Sequence, residues 1–250
     1  MQKYILVFLL FSFACSFGQF SVKDSSFLIP MISVHYSGHI PGGDMADRFG
    51  NSSMVGGSLA LKTKKNWIFS LDGNFLFGNQ IKNESFYFHS IKNSQGYVID
   101  GNGMAAEIYL YERGFNFSAH FGKQFKFLNP NPNSGPFVEL GFGFLQHKVR
   151  IENPYFVAPQ VIGDYKPYYD RLSSGLSFTQ LIGYRFLSDS RLLNFYLAFE
   201  FNQAFTQGRR TYNLDDMKSG AENRIDLLSG IRIGWIMPLY PKAPKEFYYY

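Results

Sequence analysis

The stretches NFYLAFEFNQAFT, residues 194–206, and NRIDLLSGIRIGWIM, residues 223–237, decide the fold. In the first, Phe195, Leu197, Phe199, Phe201 and Phe205 alternate with Asn194, Tyr196, Ala198, Glu200 and Asn202. In the second, Ile225, Leu227, Ile231, Ile233, Trp235 and Met237 alternate with Arg224, Asp226, Gly230, Arg232 and Gly234. A period of two sends successive side chains to opposite faces of a β-strand. One face is apolar with hardly a charge, and the other holds Gly, Asn, Arg and Asp. That contrast predicts an exterior against lipid and a polar interior.

The same period recurs outward from these two stretches and predicts eight strands, at about 28–38, 53–62, 66–78, 116–127, 136–150, 172–187, 192–206 and 223–239. A soluble β-sandwich also alternates, but these segments reach the roughly 9–11 residues that cross a bilayer when tilted. Connections alternate in length. Those at 39–52, 79–115, 151–171 and 207–222 are long, and those at 63–65, 128–135 and 188–191 are short. Long loops outside and short turns on the periplasmic side fit an antiparallel transmembrane β-barrel, all-β and eight-stranded, with both chain ends in the periplasm. Met104 to Glu112 also alternates. A ninth strand there would break the loop parity, so this stretch is expected to form a hairpin extending the second long loop.

The 250 residues, 46% hydrophobic and 17% charged, fit one domain. Mean hydropathy is only −0.14, and after residue 18 no apolar run approaches the ~20 residues of a membrane helix. Residues 1–18, with Lys3, an apolar core and Ser16 and Gly18 at the end, read as a signal peptide cleaved before Gln19. The sole cysteine, Cys15, lies inside it. The competing lipidation motif lacks the expected Leu three places earlier, where Ser12 stands. The mature chain would then have no disulfide, and the tail PKAPKEFYYY would lie in the periplasm. The net charge of +5 is spread over residues such as Lys62, Lys64, Lys65, Arg209 and Arg210, which argues against a nucleic-acid partner. Outer-membrane lipid is the expected surrounding, with an envelope protein as a further partner.

An eight-stranded barrel is filled by its own side chains, so a porin is not expected. The inward charges Asp72, Glu139, Arg185, Glu200, Asp226 and Arg232 should pair with one another, because isolated buried charge is costly. Trp67, Tyr184, Trp235 and Tyr240 suit the headgroup level. Lipid solvation accounts for the 28 Phe without a cofactor. His35, His39, His89, His120 and His147 are scattered, and the acidic pieces Asp44, Asp47, Asp215 and Asp216 lack a calcium-loop pattern, so no metal site is expected. The loop pieces FYFH (86–89), GYVIDGNG (96–103) and IENPYFVAPQVIGDYKPYYD (151–170) suit either a binding surface or a lid on the barrel.

One pair invites a catalytic reading. Ser118 and His120 resemble, in reversed order, the His-x-Ser pair of lipid A deacylase barrels, although they point inward. Pairing through the turn would put Glu139 opposite about Gln124, too far to assist His120.

The layout as a whole resembles the small OmpA/OmpX-like membrane barrels. The stretches RFGNSSMVGGSLALKTKKNWIFSLDGNFLFGN (48–79), LQHKVRIENP (145–154) and GIRIGWIMPLYPK (230–242) with the YYY ending resemble uncharacterised barrels of gliding and type IX secreting bacteria. The resemblance implies fold and outer-membrane location, and links the chain to secretion or motility only by association. The leading expectation is a non-enzymatic barrel with a structural or accessory role in the envelope. A lipid A-modifying enzyme and a surface-binding protein acting through its loops are the alternatives.

Overall fold

The computed structural model describes residues 26–155, 158–188, 192–215 and 217–239. The expected signal peptide with Cys15, and the tail with Tyr240, lie outside the described residues. Eight strands follow one another: β1 (Ile29–Gly43), β2 (Ser52–Lys62), β3 (Trp67–Gly78), β4 (Tyr109–Gln124), β5 (Gly135–Glu152), β6 (Ser173–Phe186), β7 (Phe195–Gly208) and β8 (Asn223–Pro238). Each pairs antiparallel with the next, and β8 returns to β1 from Met31↔Pro238 to Gly43↔Asp226, closing the barrel. Closure leaves no strand edge unpaired.

Alternation drives the two-faced strands. In β1 every odd residue from Ile29 to His39 is buried and every even one from Pro30 to Ile40 is exposed. The exposed positions around the barrel are apolar, among them Val34, Leu59, Leu71, Phe117, Phe142, Leu176, Phe199 and Ile233.

The interior is layered. At the short-turn end an apolar plug of Phe27, Ile29, Met31, Ile68, Phe137, Leu181 and neighbours fills the lumen. Polar and charged residues occupy the middle. At the long-loop end a second apolar core joins Met54, Leu76, Leu145, Val149 and Ile151 of the strands to Met45, Phe49, Tyr87, Phe88 and Tyr169 of the loops.

This layering explains where the sequence expectation fails. β4 begins at Tyr109 rather than Asn116 and ends at Gln124 rather than Phe127. The stretch 104–112 is therefore not a separate hairpin, since its last four residues open β4. The second loop instead carries isolated bridges Lys92↔Val98 and Ile99↔Ala105. Within β4 the apolar face changes sides. Leu110 faces inward into the loop-end core, while further along Phe117 and Phe121 face outward. A strand whose polarity inverts halfway looks like two segments in sequence.

β1 likewise runs on to Gly43, whose φ of 59° turns the chain so that Asp44 N donates to Ile225 O. A Cβ at Gly43 would lie 2.2 Å from that same oxygen, so the turn requires glycine. The rings expected at headgroup level, Trp67, Tyr184 and Trp235, all stand at the short-turn end. Tyr184 Oη donates to Leu128 O at 2.9 Å and Trp235 Nε1 to Leu192 O at 2.8 Å.

Candidate functional site

Arg232 is the centre of the lumen. Its β8 position sends the guanidinium across the barrel to β3, where Nη1 donates to Asp72 Oδ2 at 2.7 Å. Nε donates to Glu200 Oε2 of β7 at 2.9 Å, and Nη2 donates to Glu200 Oε1. The planar fork matches the carboxylate, so both oxygens of Glu200 are held by one cation. His39 Nε2 lies 3.1 Å from Glu200 Oε2. Nearer the plug, Arg185 Nη2 donates to Glu139 Oε1 at 2.7 Å while its guanidinium carbon sits 4.4 Å from the Phe137 ring centroid.

The six inward charges do not all pair among themselves. Asp226, the exception, stands toward the loop end, where it accepts from His147 Nε2 at 2.8 Å and from Thr206 Oγ1. Sequence reasoning missed two further inward ions. Lys62, read only as one of the charges dispersed along the chain, is fully buried and donates to Asn133 Oδ1 at 2.9 Å and Ser26 Oγ at 3.1 Å. Glu112 is buried beside Ser52 Oγ. The parity of Lys62 with Ser58 and Ala60 was the available signal.

Ser118 Oγ and His120 Nε2 lie 2.8 Å apart, and Asp72 Oδ2 is 3.6 Å from that same nitrogen. In a nucleophilic triad the carboxylate holds the other ring nitrogen, fixing the tautomer that accepts the serine proton. Here Nδ1 has no hydrogen-bond partner. Glu139 is opposite Gly122, not Gln124, because Gln124 pairs with Phe137; its partner is Arg185. Ser118 and His120 are buried between the plug and the loop-end core. A cavity of about 20 Å³ lined by Asp72, Glu139, Arg185 and Arg232 has room for roughly one water.

The histidines separate. His35 Nε2 bonds Asn74 Oδ1, His147 bonds Asp226, and His89 stacks on Phe86 in the second loop at 5.2 Å. Among the described residues no group of three or more His, Cys, Asp or Glu side chains is placed to hold a metal ion.

The long loops fold down as a lid. In the FYFH piece Tyr87 and Phe88 turn inward, with Phe88 held at φ 64° and its ring 5.1 Å from Tyr169, whereas Phe86 stays exposed. Ion pairs fasten loop to loop. Arg210 donates through Nε (2.7 Å) and Nη2 to Asp170, and Arg171 bonds Asp215 at 2.7 Å. Ile225 N donates to Asp44 Oδ2 at 2.7 Å, so that loop acid caps the start of β8; Asp216 lies outside the described residues. Bonding to Asp170 raises the Arg210 pKa above its ordinary value. Arg48 is pushed down to about 10, first by burial and then by the nearby Arg224. Burial raises the Tyr87 phenol.

No protein-family model matches the chain, and no curated protein matches it. Among solved structures it is similar to Ail, the attachment invasion locus protein of Yersinia pestis, solved in complex with the heparin analogue sucrose octasulfate. The identity is 10% and the TM-score 0.39, over 84% of this chain and 98% of Ail.

Proposed function

We propose that this chain is an integral barrel of the bacterial outer membrane with a non-enzymatic, structural or accessory role in the envelope. The observation that carries the location is the exposed apolar belt. Phe and Leu side chains such as Leu71, Phe117, Phe142, Phe199 and Phe205 are roughly half to two-thirds exposed on neighbouring strands. Monomeric proteins in water rarely leave apolar patches beyond a few hundred Å² uncovered, and lipid would cover this one.

The belt has edges. Trp67, Tyr184 and Trp235 border it at the turn end. At the loop end the outward positions of β4 and β5 change from Phe115 and Phe144 to Arg113, Lys148 and Arg150. Such flanks suit the headgroup layers.

Two features support a non-enzymatic role. The lumen is filled by ion pairs between two apolar cores, and the His120 nitrogen that meets Ser118 is the same one that Asp72 approaches, while Nδ1 has no partner. The resemblance to barrels of gliding and type IX secreting bacteria gives the narrower form of the proposal, a subunit of a secretion or motility complex.

Mild-detergent purification of the tagged protein from outer membranes, with mass spectrometry of what co-purifies, tests the role. One stoichiometric protein partner is the accessory-subunit result, and a lone barrel leaves a structural role. Lipid A profiles of cells lacking the gene test the enzymatic alternative. A change restored by the wild-type gene but not by Ser118→Ala would replace this reading with lipid A chemistry.

A further inference from the structure

Four separate pieces of chain bring cations to one cleft on the loop side: Arg48 from the first loop, Lys82 from the second, Arg171 from the third and Arg224 from the start of β8. The cleft has a volume of about 600 Å³ and is lined by the carboxylates Asp47 and Glu222; Glu222 holds Arg224 Nη2 at 3.2 Å, and Asp215 holds Arg171 at 2.7 Å.

Its donors are under-used. Arg48 is 5% exposed, yet neither Nε nor Nη2 has a hydrogen-bond partner. Its Nη1 reaches Arg171 O and Ser173 Oγ at 3.4 Å each, and the nearest carboxylate oxygen, Asp226 Oδ1, is 3.8 Å from Nη2. The Tyr87 hydroxyl, buried in the same wall, has no partner, and neither does Arg224 Nε. Lys82 Nζ donates to a neutral acceptor, Ala46 O, at 2.6 Å. A buried donor without an acceptor costs about 1–3 kcal/mol, more when charged, and several around one cleft indicate a missing acceptor.

Arg48 and Arg224 also repel one another, which adds to burial, the larger cause, in lowering the Arg48 pKa. An anion between them would relieve both defects.

Stoichiometry favours one anion class. A carboxylate brings two oxygens and one charge, whereas a phosphate monoester brings three terminal oxygens and nearly two charges at neutral pH. Four donor atoms are left without a hydrogen bond around the cleft, Arg48 Nε and Nη2, Arg224 Nε and the Tyr87 hydroxyl, more than the two oxygens of a carboxylate would serve. Phe86, 42% exposed, lines the same cleft with His89 stacked on its ring and the Arg171 guanidinium over it at 5.6 Å, so its exposed edge adds apolar surface beside the cations.

We propose that the cleft binds a phosphate-bearing ligand, its oxygens accepting from Arg48, Arg224, Lys82 and the Tyr87 hydroxyl. The inference concerns the loops alone and stands apart from the role proposed for the barrel.

The test is isothermal titration calorimetry on the full chain refolded in a maltoside detergent, which is phosphate-free, with glucose 1-phosphate, inorganic phosphate, acetate and glucose as probes. The expected result is saturable binding of glucose 1-phosphate tighter than about 1 mM, weaker binding of acetate and none of glucose. Equal affinity for inorganic phosphate would identify free phosphate as the ligand and retain the site.

Arg48→Gln combined with Arg224→Gln should weaken binding at least tenfold, while Arg150→Gln, an exposed cation on the outer face of β5, leaves it unchanged. Tyr87→Phe removes only the hydroxyl and should weaken binding severalfold even if the double variant fails to fold. The proposal is overturned by the absence of saturable phosphate binding, by acetate binding as tightly as phosphate, or by affinity indifferent to Tyr87→Phe and to a folded double variant.

Discussion

Two arginines buried to the same degree live in opposite circumstances. Arg232, 1% exposed in the lumen, makes three directed bonds to two carboxylates presented by β3 and β7. Arg48, 5% exposed under the loops, makes two long contacts at 3.4 Å and leaves two nitrogens unpartnered. Strands fixed by barrel closure can bring acid and base to bonding distance across the lumen, so charge there acts as a lock. Under the loops Arg48 keeps two donors over, and those donors are available to a ligand. Burial alone does not make a charge structural; the completeness of its partners does.

The largest effect should come from breaking the lock. Arg232→Met would leave Asp72 and Glu200 buried without their cation and should cost about 3–5 kcal/mol, measured by urea unfolding of the barrel in lipid vesicles. A loss under about 1 kcal/mol would erase the contrast, because removing one member of a compensated pair is normally severe.

Placing the same side chain on the other face sharpens the comparison. Phe142→Arg puts a guanidinium in the belt with no carboxylate in reach and should cost about 2–4 kcal/mol in vesicles, and much less in detergent. Ser118→Ala removes one 2.8 Å contact from His120 and should cost about 1 kcal/mol with lipid A unchanged by mass spectrometry. Arg48→Gln should have the smallest effect on stability, under about 1 kcal/mol by urea unfolding, because long hydrogen bonds are weak. Its consequence should appear in phosphate affinity instead.

The barrel was legible wherever apolar side chains face out and polar ones face in, since lipid imposes that contrast along the whole crossing of strands such as β7 and β8. It was illegible where the contrast inverts. Leu110 of β4 serves the loop-end core, so the strand's first turnings carried the opposite phase and were assigned to a loop. The register of the β4–β5 turn was misplaced by two residues for a related reason. Phe125 and Phe127 keep the outward apolar pattern beyond the last paired residue, Gln124.

Of the candidate residues, the lumen acids and bases could be listed from parity, but their partners could not. Arg232 meets Asp72 across the barrel, and no local pattern encodes a contact between strands that are not neighbours. Lys62 was counted only as part of the dispersed net charge and was left out of the inward ions, although its parity in the second strand pointed inward. Arg48, Tyr87 and Arg224 were unreadable as a group. They meet only because two loops and a strand end fold over one mouth, and loop packing has no period.

The belt is the central claim, and cysteine scanning tests it most directly, because no cysteine follows Cys15 in the sequence. Single replacements Leu71→Cys, Phe142→Cys and Phe199→Cys on the outer face would be compared with Tyr155→Cys in the third loop and Leu128→Cys in a turn, all in the barrel reconstituted in vesicles and exposed to a membrane-impermeant thiol reagent on both sides. The account expects the loop and turn cysteines to label quickly and the three belt cysteines to stay protected until detergent and denaturant expose them. Belt cysteines that label as fast as Tyr155→Cys while the barrel remains folded would contradict it.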